Sequence, residues 1–166
     1  MALPWFERNL KFGHPKEMLP FFVERLEGTI VRIEQKVKGA DEKVLSKKTD
    51  GKWSIKENIG HLAEVDQVAL KRIDEMLSRV PVMSPAVFEP QDYSVWPIQK
   101  VLDLFRKTRT ANVIRYNSLK EDDLLKSSLH PRLKLHMTPV DLAWFDAEHD
   151  DHHLVKINEI LKSNPQ

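Results

Sequence analysis

Four long runs of apolar residues at helical spacing, each closed off by glycine, proline or a polar connection, restrict this chain to a helical fold. The first spans about Lys16 to Val37, with Leu19, Phe22, Leu26, Ile30, Ile33 and Val37 on one face, and Gly39 follows as a stop signal. The second opens at Ser54 and runs to about Arg79, just ahead of Pro81. Its start, Ser54-Ile55-Lys56-Glu57, is a capping box, in which the serine oxygen and the glutamate carboxylate satisfy orphan amides of the first turn. The third begins near Pro97, a residue suited to a first helical position, and runs to about Leu119. Thr138-Pro139-Val140-Asp141 opens the fourth, which ends near Leu161. Strand signals are weak throughout. The stretch from Val80 to Tyr93 contains Pro81, Pro85 and Pro90, too many prolines for a helix, and reads as an ordered loop. Leu124 to Met137 is a second connection. The pattern predicts an all-α fold: a four-helix bundle with a long irregular loop between helices 2 and 3, forming a single domain over residues 1–166.

Composition removes several classes of function. Lys+Arg 26 against Asp+Glu 25 leaves a net charge of +1, which gives no electrostatic reason to expect nucleic acid or an anionic membrane. The absence of cysteine excludes disulfides, thiolate metal sites and a cysteine nucleophile. With 5 Gly there is no GxGxxG or GxxxxGK[ST] phosphate loop. Met1 to Lys11 holds no apolar run behind basic residues, so no signal peptide is read, and no segment approaches the roughly 18 apolar residues of a membrane span. A cytoplasmic location is expected.

The 7 histidines carry the chemistry. In Glu148-His149-Asp150-Asp151-His152-His153, His149 and His153 stand four apart, which stacks both imidazoles on one face of a helix. With His149 at zero on a wheel of 100° per residue, His153 lies at about 40°, inside the apolar arc of Leu142, Phe145, Leu154, Ile157 and Ile160, and His152 at about −60° falls outside it. Asp146 and Asp150 fall within the same arc at about 60° and 100°. Burying carboxylates is expensive unless they are paired or near a cation. Two readings fit this polar patch: a metal ion with carboxylates that orient its imidazoles, or a buried His–Asp hydrogen-bond network between helices. His61, on the second helix, sits on the flank of a core arc made by Leu62, Val65, Ala69, Ile73 and Met76, beside Val65 and Val68. On position alone it reads as structural. Gly60 before it is unfavourable in a helix interior and points to a close approach, by a neighbouring helix or the mouth of a site. His14, His130 and His136 read as surface or capping residues, Trp53, Trp96 and Trp144 as packing anchors, and Arg106, Lys107 and Arg109 as a solvated helix face.

Two of these segments together resemble the DinB-like (DinB/YfiT) superfamily: Trp53-Ser54-x-Lys56-Glu57-x-x-Gly60-His61-Leu62, and Thr138-Pro139-Val140-Asp141-Leu142 leading into Glu148-His149-x-x-x-His153-Leu154-x-x-Ile157. The order of the helices and the long link after the second agree, so the resemblance runs from about Leu19 to Leu161. It implies a four-helix bundle in which His61, His149 and His153 hold one divalent metal ion, which raises His61 from a structural residue to a ligand. It also implies a metal-dependent hydrolase or a transferase that uses a low-molecular-weight thiol, and a homodimer. Three imidazoles leave coordination positions open for water or substrate, the pattern of catalytic rather than closed sites. Zinc, nickel and iron all suit such a donor set. Any thiol must come from outside, since the chain has none. Asp146, Asp150 or Glu57 is expected to position a ligand imidazole or act as a base, with capping the favoured role for Glu57. The loop from Pro81 to Tyr93 is expected to cover the open position. The competing readings are a non-catalytic metal- or ligand-binding bundle and a metal-free helical interaction module.

Overall fold

A computed structural model describes residues 2–48 and 51–164. Met1 and residues 165–166, the extremities of the expected domain, lie outside the described residues. Five α-helices occur among the described residues: α1 (Leu19–Val37), α2 (Glu42–Ser46), α3 (Ile55–Leu77), α4 (Ile98–Asn117) and α5 (Pro139–Ser163). The four long ones form the bundle that the apolar periodicity predicts. Neighbouring pairs are α1 with α4, α4 with α3, α3 with α5 and α5 with α1, so α1 faces α3 across one diagonal and α4 faces α5 across the other.

Each helix starts where its local chemistry directs. Ser54 Oγ accepts from the Glu57 amide at 3.2 Å and Glu57 Oε2 accepts from the Ser54 amide at 2.8 Å, the reciprocal capping box of α3. Thr138 and Asp141 do the same for α5, with Pro139 in its first turn. Asp141 has a second duty: its Oδ1 accepts from the amides of Gly13 and His14, which ties the N-terminal segment to the start of α5. Pro97 is the residue before α4 rather than its first helical one. After α1, Gly39 takes a left-handed φ of 75° that favours glycine.

Two features escape helical periodicity. One is α2, a single turn capped by Asp41. The other is a two-residue antiparallel ladder of β1 (Ser128–Leu129) with β2 (His136–Met137), joined in parallel by an isolated bridge from Val82. That bridge anchors the start of the loop expected from Val80 to Tyr93. The core forms one cluster around Leu26, Ile73, Met76, Tyr116 and Leu142 and a second around Ile33, Ile59, Leu62, Phe105 and Ile157.

Between them the bundle buries a charged group. Arg109 on α4 is fully buried, which corrects the expectation of a solvated face. Its Nε donates to Asp66 of α3 at 2.9 Å, its Nη2 to Asp150 of α5 at 2.9 Å, and its Nη1 to the Leu26 carbonyl of α1 at 2.9 Å and to Asp150. Burial works against this charge, and Asp150 and Asp66 more than offset it. Arg109 stands four residues after Phe105 and four before Val113, on the buried face of α4, whereas Arg106 and Lys107 face out, so grouping the three as one basic run hid the difference.

Candidate metal centre and cavity

His61 rises from the second turn of α3, and His149 and His153 face it from α5, the neighbouring helix. One nitrogen from each lies within 4.8 Å of the others. The Nε2 atoms of His149 and His153 are 3.2 Å apart. Two nitrogens each bonded to a tetrahedral zinc ion at roughly 2.0–2.1 Å stand about 3.3 Å apart, so the pair has the spacing a shared ion requires. The donor set fits a divalent ion in protonation as well. Burial pushes His61 down to about 4 and His149 and His153 well below the usual imidazole value, so all three are neutral near pH 7, the form that binds metal.

The tautomer of His153 is fixed from outside the triad. Asn58 Nδ2 donates to the Ser54 carbonyl at 2.8 Å, which turns Asn58 Oδ1 toward His153 Nδ1, also at 2.8 Å. His153 Nδ1 therefore carries the proton and Nε2 keeps its lone pair for the shared site. The Nδ1 of His149 is buried without a protein partner among the described residues. Glu64, one turn after His61, places Oε2 3.5 Å from His61 Nδ1, and the Tyr93 hydroxyl donates to its other oxygen at 2.9 Å. Sequence reasoning missed Asn58 and Glu64. The signal that could have found them is a polar side chain three residues to either side of a candidate ligand on the same helix.

Aromatic rings enclose the triad. Trp53 stacks on His153 with centroids 6.0 Å apart and 13° between planes, and lies 4.7 Å from His61. It covers the candidate ligands rather than serving only as a packing anchor. Trp5, from the N-terminal segment, meets His149 edge-on at 5.0 Å, and Phe88, from the long loop, meets His61 edge-on at 5.0 Å. Gly60 admits Tyr93 from the end of that loop: a β-carbon at Gly60 would stand 2.3 Å from the Tyr93 ring. The close approach expected at Gly60 is thus made by a ring that also holds Glu64.

A cavity of about 580 Å³ opens beside His61 and His149. Its α3 wall is the stripe His61, Val65, Val68 and Arg72, the flank of the core arc on which His61 was placed. Phe145 and Asp146 of α5 line it opposite, and Pro85, Ala86 and Phe88 bring the long loop across one side. Asp146 is buried with Oδ2 unpartnered among the described residues, and burial pushes its carboxyl well above the usual carboxylate range. Asp150 does not line the cavity: Thr29 Oγ1 donates to it at 2.7 Å and Arg109 takes both its oxygens. His152 is not part of the cluster, but its ring meets His153 edge-on at 5.4 Å and lies 5.9 Å from Trp5. His130 lies at the cavity rather than on the surface. It is buried, and its Nδ1 accepts from the amides of Arg132 and Leu133, so it caps a turn from within. His136 is exposed, and His14 packs on Phe22 and Trp144.

Known proteins share this architecture. YfiT from Bacillus subtilis, described as a probable metal-dependent hydrolase with an unusual four-helix bundle topology, superposes with a TM-score of 0.81 over 94% of this chain and 93% of its own, at 19% identity. The uncharacterized protein YuaE of Bacillus subtilis (strain 168) is 28% identical over 141 residues, covering 73% of this chain and 85% of its own. The sequence profile of the DinB superfamily matches residues 25–157, a span that includes all three clustered histidines, and the chain belongs to that superfamily.

Proposed function

We propose that this protein is a divalent-metal-dependent hydrolase acting on a small molecule bound in the cavity beside His61 and His149. The observation that carries the reading is the convergence of three neutral imidazoles, one of them held in its ligating tautomer by Asn58, two of which line a cavity large enough for a small ligand. The description of YfiT as a probable metal-dependent hydrolase supports it. His61, His149 and His153 would hold the ion, with zinc, nickel and iron the candidates. Such an ion supplies Lewis acidity, acidifying water and polarising a carbonyl at its open side. Asn58 orients His153, and Glu64 with Tyr93 orients His61. Asp146 lines the cavity, and its carboxyl, pushed up by burial, is the candidate to give a proton to a leaving group. Asp150, engaged by Arg109 and Thr29, holds α5 in position and acts on the site only through that.

The transfer of a group to a low-molecular-weight thiol is the second reading. It rests on the resemblance to the superfamily, and a chain without cysteine would take that thiol from its surroundings. Purified, metal-loaded protein offered ester and amide panels and, separately, thiol-plus-electrophile pairs separates the two. Hydrolysis that disappears in His61→Ala supports the first; turnover only when thiol is present supports the second; full activity in His61→Ala overturns both. A single domain over 1–166 that pairs as a cytoplasmic homodimer completes the proposal, and sedimentation velocity reads the pairing.

A further inference from the structure

Arg72 is a buried cation that makes no ion pair among the described residues, although Asp146 and Glu75 lie near enough to act on it. It is 7% exposed, and its Nε is buried without a partner. Among the described residues no hydrogen bond or ion pair joins its guanidinium to a protein acceptor. The carboxylates that act on it most strongly are Asp146 and Glu75. Glu75 is committed to Ser84, whose amide donates to it at 3.1 Å. Asp146 keeps Oδ2 without a partner among the described residues. A buried guanidinium nitrogen without a partner is costly to keep, because its lost hydration is not replaced. Where a protein retains one, an external anion is the natural complement.

The position of Arg72 says where that anion would sit. Arg72 closes the stripe His61, Val65, Val68, Arg72 on the cavity wall, about three turns or roughly 16 Å along α3 from His61. A second cation lines the same cavity: Arg132, whose guanidinium lies 3.5 Å over the Phe6 ring. Along α3 between the triad and Arg72 the lining is Val65 and Val68, with Phe88 and Phe145 adding apolar surface and Asp146 and His130 the polar groups.

We infer that the substrate carries a carboxylate at the end remote from its reacting group, and that this carboxylate pairs with the Arg72 guanidinium, past Val65 and Val68 on the cavity wall. The planar fork of a guanidinium matches a carboxylate with two parallel hydrogen bonds. The inference rests on the cavity being the substrate site, and it deepens that reading by naming a chemical class.

The test is binding, measured by calorimetry without turnover. Phenylacetate, its uncharged isostere phenylacetamide and inorganic phosphate are titrated into the wild-type protein, His61→Ala, Arg72→Gln and Arg72→Lys. Phenylacetate is expected to bind the wild type at least 10-fold more tightly than phenylacetamide, to keep that preference within a few-fold in His61→Ala, and to lose it in Arg72→Gln. Arg72→Lys, which keeps the charge and loses the fork, is expected to fall between. Equal binding of acid and amide, binding of neither, tighter binding of phosphate, or an unchanged preference in Arg72→Gln overturns the inference. The comparison of acid with amide needs no variant, so a misfolded Arg72→Gln does not protect it. Carboxylate preference without metal binding or hydrolysis removes the proposed activity alone; hydrolysis with no carboxylate preference removes this inference alone.

Discussion

Asn58 decides which nitrogen His153 offers. Its amide is pinned by the Ser54 carbonyl and so presents oxygen, not nitrogen, to the ring. Asn58→Ala frees the imidazole to turn and to exchange tautomers, and metal affinity should fall about 10–100-fold, the usual range for groups that orient a ligand. Competition with a chromophoric chelator measures this, and unchanged affinity would remove Asn58 from the site. His130 makes a separate prediction in pH. Burial, with Arg72 and Arg132 adding to it, lowers this ring from 6.5 to about 4, so the folded chain keeps it neutral where the unfolded chain takes up a proton. Its share of stability is complete above about pH 6.5 and is lost as pH falls toward 4, at up to about 1.4 kcal/mol per pH unit. His130→Gln keeps an acceptor for the turn and removes the titration. The drop in unfolding free energy between pH 7 and pH 5 should shrink by up to about 2 kcal/mol. An identical drop in wild type and variant, measured by urea unfolding at both pH values, would contradict the assignment. At this scale His149 and His153 were legible because i, i+4 spacing inside an apolar arc is a geometric statement. His61 was not, since its flank position means something only once the cavity beside it is seen, and resemblance supplied what spacing did not.

At the scale of elements, α3 carries most of the site on two stripes. One packs the core through Ile55, Ile59, Leu62, Ala69, Ile73 and Met76. The other, from His61 to Arg72, walls the cavity. Gly60 lies where the loop after α3 returns to the helix, and the buried Tyr93 ring fills the space that a side chain would need. Gly60→Ala gains up to about 1 kcal/mol of helix propensity and forces Tyr93 away at a cost of about 1–3 kcal/mol. A net loss of roughly 1 kcal/mol is expected, together with weaker metal binding as Glu64 loses its tyrosine. Tyr93→Leu in the same chain should recover much of the Gly60→Ala loss, and chemical denaturation of the double-mutant cycle reads the coupling; strict additivity would sink the account. The four long helices were legible from their caps and periods, to within a few residues at each end. The short α2 and the β1–β2 ladder were not, because one turn and two residue pairs carry no period. The N-terminal segment that brings Trp5 onto His149 was equally silent. Asp141 ties it down with bonds to backbone amides, which leave no mark on side-chain pattern.

Across the whole molecule, a single guanidinium touches all four bundle helices. Arg109 links α4 to Asp66 of α3, Asp150 of α5 and the Leu26 carbonyl of α1. Burial holds Asp66 up at about 6 even against that cation, which marks how dry the centre is. Arg109→Met would leave two carboxylates buried without their partner and should cost about 3–5 kcal/mol in urea unfolding. A loss under about 1 kcal/mol would show that the network is not what holds the helices in register. This cross-tie also sets α5 against α3, and so sets the histidines against each other. The bundle class was legible because four amphipathic helices have few ways to bury their faces. Its polar centre was legible only in part: spacing puts Arg109 on the face of Leu102, Phe105 and Val113, but which acids meet it there depends on how α3 and α5 pack. The account as a whole stands on His61, His149 and His153 sharing one ion. Elemental analysis of the purified protein, run beside His61→Ala, His149→Ala and His153→Ala, tests this directly. The account predicts close to one zinc, nickel or iron per wild-type chain and little in any of the three variants. Wild-type protein that takes up no divalent metal when supplied with it, or variants that retain it in full, would contradict it.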